Sequence, residues 1–274
     1  MALAVFVQSK AVIRTDSIKS EILGEWVKYN VYYPETYNGS GEVKYPILYQ
    51  LHGLTDTYEG WNKRGNIGQV ADELLKQGKI CEMVIIMPNA GGPDTHNTWN
   101  GYFNMPGWRY HDFFFEELMP EVERKYHAYG DKKHRAISGL SMGGGGSTVY
   151  AQRHTDLFAS CYAMSARLHD DRKPSADSLD KLNYYYLANH EYSAVTFVKE
   201  ADDETLEKLR SVRWYFDVGD DDSLLEQSEI LQMLMRMKWI KAELRVRDGG
   251  HTWNYWHSAL YESLPFVAKT FMEE

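Results

Sequence analysis

"AISGLSMGGGGS" (residues 136–147) contains the pattern Gly-x-Ser-x-Gly, with the serine at Ser141 and the two outer glycines at Gly139 and Gly143. An apolar run precedes the pattern and a helical pattern follows it, so the stretch joins a strand to a helix and is not a linker. A phosphate-binding turn is disfavoured, because no lysine follows the glycines and no Gly-x-Gly-x-x-Gly is matched by an acid. The pattern predicts a sharp strand-to-helix turn with Ser141 at its tip, where larger residues at the glycine positions would collide.

A serine hydroxyl at such a turn needs a histidine base before it can act as a nucleophile at neutral pH. Enzymes that use this turn place the acid and then the histidine after the serine, each in a loop that follows a later strand. Of the 10 histidines, His251 directly follows the last predicted strand, in "RVRDGGHTWNYW" (residues 245–256). His251 is therefore the candidate base, and His257, on the following helix, is a weaker competitor.

The acid that orients the histidine is expected after the preceding strand, "VRWYFDVG" (residues 212–219). "GDDDSL" (residues 219–224) offers three neighbouring carboxylates there, Asp220, Asp221 and Asp222. Asp217 lies inside the strand and Asp248 lies beside the histidine, so both are less well placed. Asp222 comes last before the next helix and is preferred, although periodicity alone does not choose among the three neighbours.

Ester hydrolysis through a serine also needs two hydrogen-bond donors for the oxyanion. One is the backbone N–H of Met142, the residue after the nucleophile. The second is expected from the loop after an earlier strand, and "YQLHGLTD" (residues 49–56) places the N–H of Leu54 there. His52 in the same loop is a candidate substrate-site residue, although support of the loop is expected of it more than chemistry.

The remaining pattern predicts an α/β fold with one mostly parallel central sheet and helices on both faces. "EWVKYNVYYP" (residues 25–34) alternates and indicates a strand paired antiparallel with a neighbour. Continuous apolar runs predict strands buried on both faces at 45–53, 83–89, 134–141, 159–166, 212–219 and 242–248. Helical patterns occupy 67–78, 111–126, 147–158 and 223–238.

The chain is interpreted as a single domain over residues 1–274, with one long interruption. Residues 167–203 separate two strands by far more chain than a crossover needs, and long loops at strand ends often carry function. This segment is predicted to be a lid-like insertion over the active site.

Composition excludes several other functions. The net charge is −9 and no run of lysine and arginine exceeds two residues, which disfavours nucleic acid as a partner. No stretch is apolar enough to span a membrane. No HExxH pattern or calcium loop is present, so neither a metal nor another cofactor is expected. The oligomeric state is left open. "MALAVFVQSK" (residues 1–10) is either a first strand or the end of a signal peptide, and the latter favours a secreted or periplasmic location over the cytoplasm.

Four motifs in order resemble the esterase D family of α/β-hydrolases: "LHGLTD", "HRAISGLSMGGGGS", "DVGDDDSL" and "RDGGHTWNYW". The similarity runs from about residue 18 to residue 271, which implies an α/β-hydrolase fold that needs no cofactor. The family's roles fall on the nucleophile Ser141, the acid Asp222, the base His251 and the oxyanion donors Leu54 and Met142. "GGPDTHNTWNGY" (residues 91–102) resembles the family's aromatic loop, which makes Trp99 a candidate substrate contact.

The resemblance implies a serine carboxylesterase, with feruloyl or other short-chain or aryl esters of plant cell-wall carbohydrate as expected substrates. Two alternatives keep the same chemistry: an acetyl-ester hydrolase of the acetylxylan type and an S-formylglutathione hydrolase. An acyltransferase would use the same three residues with a sugar hydroxyl in place of water. A further alternative is an inactive carbohydrate-binding scaffold, which the presence of serine, histidine and acid disfavours.

Overall fold

A twisted sheet organises the chain, and in the described residues it has eight strands. The computed structural model describes residues 12–37, 39–91, 101–105, 107–169 and 191–273. Numbered along the chain, and with β5 and β6 outside this sheet, the strands are β1 (Val12–Lys19), β2 (Trp26–Tyr33), β3 (Ile47–Leu51), β4 (Val84–Pro88), β5 (Asn104–Met105), β6 (Trp108–Arg109), β7 (Arg135–Leu140), β8 (Ser160–Met164), β9 (Arg213–Gly219) and β10 (Ala242–Arg247).

The order of strands across the sheet is β1-β2-β4-β3-β7-β8-β9-β10, and β5 and β6 form a separate short hairpin. β1 and β2 pair antiparallel, β2 meets β4 antiparallel, and every later pair is parallel. The central strands β4, β3, β7 and β8 are buried along their whole length. This burial on both faces is why their sequences are continuous apolar runs, and the predicted α/β architecture is confirmed.

Helices cover both faces of the sheet. They are α1 (Gly60–Lys63), α2 (Ile67–Lys76), α3 (Tyr110–Asp112), α4 (Met119–Lys125), α5 (Met142–Arg153), α6 (Ala194–Glu200), α7 (Asp203–Arg210), α8 (Leu225–Met237) and α9 (Trp253–Met272), with a π-helical turn at Phe113–Leu118 and a 3-10 turn at Lys132–His134. The core on one face joins the sheet to α4 through α8, and the core on the other joins it to α2 and α9. None of the described helices is both long and apolar enough to cross a bilayer.

The structure differs from the sequence expectation at three helices. The helix predicted over 147–158 begins already at Met142, since the glycine run forms its first turns. A helix was expected to carry His257, but no bounds were predicted for it, and α9 is the longest helix among the described residues. The interval 167–203 contains α6 near its end, while residues 170–190 and the N-terminal segment 1–10 lie outside the described ranges. The lid-like insertion and the single-domain organisation therefore stay predictions.

Two histidines face each other between α3 and α5. His111 Nε2 lies 2.9 Å from His154 Nε2, so one nitrogen must accept the proton that the other donates. Burial lowers the pKa of His111, and burial together with the charge of a protonated His111 lowers that of His154 to about 4. Both rings are therefore neutral in the folded protein at neutral pH.

This pair predicts a loss of stability in mild acid. The folded-state pKa values lie below the ordinary value of about 6.5, so the contribution is present above that pH and is lost as the pH falls toward about 4. Thermal unfolding between pH 7.5 and pH 4.5 should show a steeper fall in Tm for the parent protein than for His154→Gln. His127→Asn is the control, and an identical pH dependence in all three proteins would contradict the prediction.

Candidate active site

The turn between β7 and α5 holds Ser141 in a strained backbone conformation. Its φ of 53° and ψ of −116° place a non-glycine residue in a region that L-residues seldom occupy. The Ser141 N–H donates to the carbonyl of Met164 at 2.9 Å, and the Ser141 carbonyl accepts from the N–H groups of Gly145 and Arg167 at 3.0 Å each. Bonds on both sides of the residue therefore maintain the strain, as is common where a side chain must be presented for function.

The flanking glycines are required by close contacts of the backbone. A Cβ atom at Gly139 would overlap the carbonyl of Gly143 across the turn, as the sequence predicts. A Cβ atom at Gly143 would lie 2.5 Å from the His52 carbonyl oxygen and 2.6 Å from that of Leu51, so here the conflict is with β3. A side chain at Gly145 would overlap the Arg167 carbonyl. These contacts explain why a helix starts with a run of glycines despite their low helix propensity.

The structure brings the three predicted catalytic side chains together. His251 lies in the loop between β10 and α9, and its Nε2 is 3.0 Å from Ser141 Oγ. Its Nδ1 is 2.9 Å from Asp222 Oδ2 and 3.1 Å from Asp222 Oδ1. Asp222 itself lies in the loop between β9 and α8. Nucleophile, base and orienting acid are thus linked in series, the arrangement that activates a serine hydroxyl.

The three neighbouring aspartates differ in burial. Asp220 and Asp221 are exposed, whereas the side chain of Asp222 is fully buried. Burial by itself would raise the pKa of Asp222, but hydrogen bonds from His251, the Leu224 N–H and the side chain of Ser165 outweigh it, so the pKa lies below its usual value. Asp222 is therefore ionised beside the imidazole at neutral pH.

The loop after β3 lies next to the serine. A Cβ atom at Gly53 would be 3.5 Å from Ser141 Cβ, which shows how closely the two turns approach. The backbone N–H groups of Leu54 and Met142 have no hydrogen-bond partner in the described part of the chain. Both are available to a developing oxyanion.

His52 supports this loop, as expected from the sequence, and a contact of His52 with the substrate stays a prediction. The residue is 1% exposed. Its Nδ1–H donates to the Gly53 carbonyl at 2.7 Å, and its Nε2 accepts from the Ala90 N–H at 2.8 Å. Burial lowers its pKa, which keeps the ring neutral and both bonds intact. His52 thereby joins the loop after β3 to the end of β4.

A cavity of about 420 Å³ opens beside Ser141 and His251. Its lining residues are Gly53, Leu54, Thr55, Asp56, Arg64, Leu140, Ser141, His251, Thr252, Trp253 and Trp256. The indoles and the leucines supply apolar walls. Arg64 contributes a positive charge. Its guanidinium lies 4.7 Å from the Trp253 ring centre and 2.5 Å from Asp56 Oδ1. Trp99 lies outside the described residues.

Several lining residues were missed by sequence reasoning. Trp253 and Trp256 belong to "HTWNYW", which was read only for its histidine, and their spacing on α9 turns both toward His251. Asp56 and Arg64 carried no sequence signal, because tertiary packing alone brings them to the cavity. Among the described residues, no group of three or more histidine, cysteine, aspartate or glutamate side chains is arranged to hold a metal ion.

Comparison with known proteins identifies the family. The Esterase family model matches residues 20–267. The chain belongs to the Esterase family. A ferulic acid esterase of known structure is 46% identical, superposes with a TM-score of 0.91, and is matched over 96% of this chain and 99% of its own. The α/β-hydrolase fold implied by the sequence is thereby confirmed.

Curated relatives match over shorter stretches. An endo-1,4-beta-xylanase/feruloyl esterase of Xylanibacter ruminicola is 29% identical over 143 residues, 51% of this chain and 19% of that protein. An S-formylglutathione hydrolase of Arabidopsis thaliana is 28% identical over 163 residues, 53% of this chain and 54% of its own length. The match to these relatives therefore spans no more than about half of their length.

The geometry predicts unequal effects for substitutions of the three aspartates. Asp222→Asn should lower kcat by roughly 10⁴-fold, because an amide does not hold the imidazole in the tautomer that accepts the serine proton. Asp220→Asn and Asp221→Asn should change kcat little, since both side chains are exposed. Initial rates with p-nitrophenyl acetate and Tm values would be measured for all three variants. Equal losses across the series would refute the assignment of Asp222.

Proposed function

We propose that this chain is a serine carboxylesterase with Ser141 as nucleophile, His251 as general base and Asp222 as the acid that orients the base. One observation carries the proposal: the strained Ser141 presents its hydroxyl 3.0 Å from the Nε2 of a histidine whose Nδ1 is bonded to a fully buried carboxylate. Membership of the Esterase family agrees with this chemistry.

The geometry accounts for each step of ester hydrolysis. Ser141 Oγ attacks the carbonyl carbon while His251 Nε2 takes the hydroxyl proton. The negative charge on the carbonyl oxygen is stabilised by the N–H groups of Leu54 and Met142, the second at the N-terminus of α5. His251 then gives its proton to the departing alcohol, which leaves an acyl group on Ser141. A water molecule, deprotonated by His251, releases the acid and restores the serine.

The substrate class we propose is an ester of an aromatic acid, of the feruloyl type, with a carbohydrate alcohol. The cavity beside Ser141 suits a planar acyl group, because Trp253 and Trp256 form its walls and Leu54 and Leu140 add apolar surface. The polar side chains Thr55, Asp56 and Arg64 on the same lining can hydrogen-bond ring substituents. The likeness to a ferulic acid esterase over nearly the whole chain supports the same class.

The insertion at 167–203 is proposed to cover this site as part of a single catalytic domain. Its first residue, Arg167, donates its backbone N–H to the carbonyl of Ser141 at 3.0 Å, so the insertion starts at the nucleophile itself. The family match over residues 20–267 supports one domain.

Replacement of the nucleophile tests the reaction. Ser141→Ala should retain the parent Tm and lose roughly 10⁴-fold or more in kcat on both methyl ferulate and p-nitrophenyl acetate. Ser147→Ala, a buried serine on the same helix, is the matched control. Near-parental activity of Ser141→Ala would refute the proposal. Turnover of the acetate alone by the parent would keep the serine chemistry and assign the chain to acetyl or other short-chain esters.

The walls of the cavity test the substrate class. Trp253→Leu should raise KM for methyl ferulate several-fold and leave KM for p-nitrophenyl acetate nearly unchanged, since an acetyl group is too small to contact the indole. Trp239→Leu, at an indole that is 86% exposed, is the control. An equal change for both esters would show that the aromatic wall does not bind the acyl group.

A further inference from the structure

Ser165, the residue that directly follows β8, occupies an unusual position. It is 0% exposed, and its φ of 45° lies in the left-handed region that glycine and asparagine favour. Its backbone N–H donates to the carbonyl of Asp217 on β9 at 2.7 Å. A buried serine held at positive φ, where glycine would fit with less strain, points to a use for its hydroxyl.

That hydroxyl lies between an indole donor and the acid. The indole Nε1 of Trp256 donates to Ser165 Oγ at 2.9 Å, and the Ser165 side chain lies close enough to Asp222 to help lower the pKa of that carboxyl. An indole nitrogen only donates and an ionised carboxylate only accepts. The Ser165 hydroxyl therefore accepts from the indole and keeps its own proton available to donate toward Asp222.

Trp256 also contacts the base. Its ring stands edge-to-face against the imidazole of His251, with centroids 4.8 Å apart and an interplanar angle of 90°. The same side chain lines the cavity and is 6% exposed. One indole thus touches His251 directly and reaches Asp222 through Ser165.

We propose that Ser165 and Trp256 are positioning residues that hold the Asp222 carboxylate and the His251 imidazole in the plane that proton transfer from Ser141 requires. The inference rests on the proposed function. Among the described residues, the other donors to Asp222 are His251 and the Leu224 N–H, the latter at 2.9 Å. Without the third donor the carboxylate is free to rotate about its Cβ–Cγ bond, and the imidazole rotates with it. A rotation of this kind impairs turnover more than binding, because the misplaced groups act in the transition state.

Ser165→Ala, Trp256→Phe and the double variant test the chain of bonds. Ser165→Ala should lower kcat on p-nitrophenyl acetate roughly tenfold to a hundredfold, with KM within about twofold of the parent. Trp256→Phe should lower kcat less, because the Ser165 hydroxyl can still donate to Asp222. The double variant should resemble Ser165→Ala, since the indole N–H acts on Asp222 only through that hydroxyl.

Two further comparisons separate positioning from general stability. Ser165→Gly removes the same hydroxyl and relieves the positive φ, so it should fold at least as well as the alanine variant and show the same loss of kcat. Ser263→Ala and Trp214→Phe alter a buried serine and a buried indole donor elsewhere; whatever they do to Tm, neither should lower kcat.

The proposal is overturned if Ser165→Ala and Ser165→Gly both turn over at the parental rate. It is also overturned if the losses of Ser165→Ala and Trp256→Phe multiply fully in the double variant, because the two side chains would then act independently. Ser141→Ala, measured alongside, distinguishes this failure from that of the proposed function. An inactive Ser141→Ala with an unimpaired Ser165→Ala removes only the positioning role, whereas an active Ser141→Ala removes both.

Discussion

The site depends on one constraint, the strained turn that presents Ser141. A residue at positive φ reverts to a more favourable conformation unless its neighbours prevent it. Here the end of β8 prevents it, since the Met164 carbonyl and the Arg167 N–H bond the two sides of the Ser141 backbone. Ser165, between those two residues, lies beside the acid. The four residues from the last residue of β8 to Arg167 therefore lie against both the nucleophile and the carboxylate. Helix α5 approaches them so closely that only glycine fits.

A carboxylate outside the proposed chemistry fixes the other half of the site. Asp217 is fully buried in β9 and accepts hydrogen bonds, each of 2.6 Å, from Tyr162 on β8, Arg245 on β10 and Tyr255 on α9. It joins the strands on either side of β9 to the first turn of the helix that follows His251. Leaving a buried charge of this kind without partners costs about 3–5 kcal/mol, so the arrangement of β9, β10 and α9 is strongly specified.

The sequence predicts the sheet because its central strands are buried on both faces, and such strands must be apolar whatever surrounds them. It predicts Ser141 and His251 because glycines mark the turns that they need. Periodicity does not distinguish Asp222 from Asp220 and Asp221. Which of the three carboxylates is buried depends on a turn, and that turn is closed by a hydrogen bond from the Asp222 N–H to the Gly219 carbonyl. The cavity walls depend on α9. Its position relative to α1 is set by tertiary contacts, which no local sequence pattern indicates. The orientation of His52 also depends on tertiary packing, because a polar residue beside such a loop faces the core as readily as the substrate.

The two described ends of the interval 167–203 that flank its undescribed part are bonded to each other close to the catalytic residues. The Ala194 N–H donates to the Leu168 carbonyl at 3.0 Å. Gln227 on α8 adds a second closure, because its side-chain oxygen accepts from the N–H groups of Leu168 and His169 at 2.7 and 3.1 Å. Both sets of hydrogen bonds come directly after Met164 to Arg167, the residues that lie against Ser141 and Asp222. The backbone at Leu168, His169 and Ala194 is therefore fixed relative to the nucleophile.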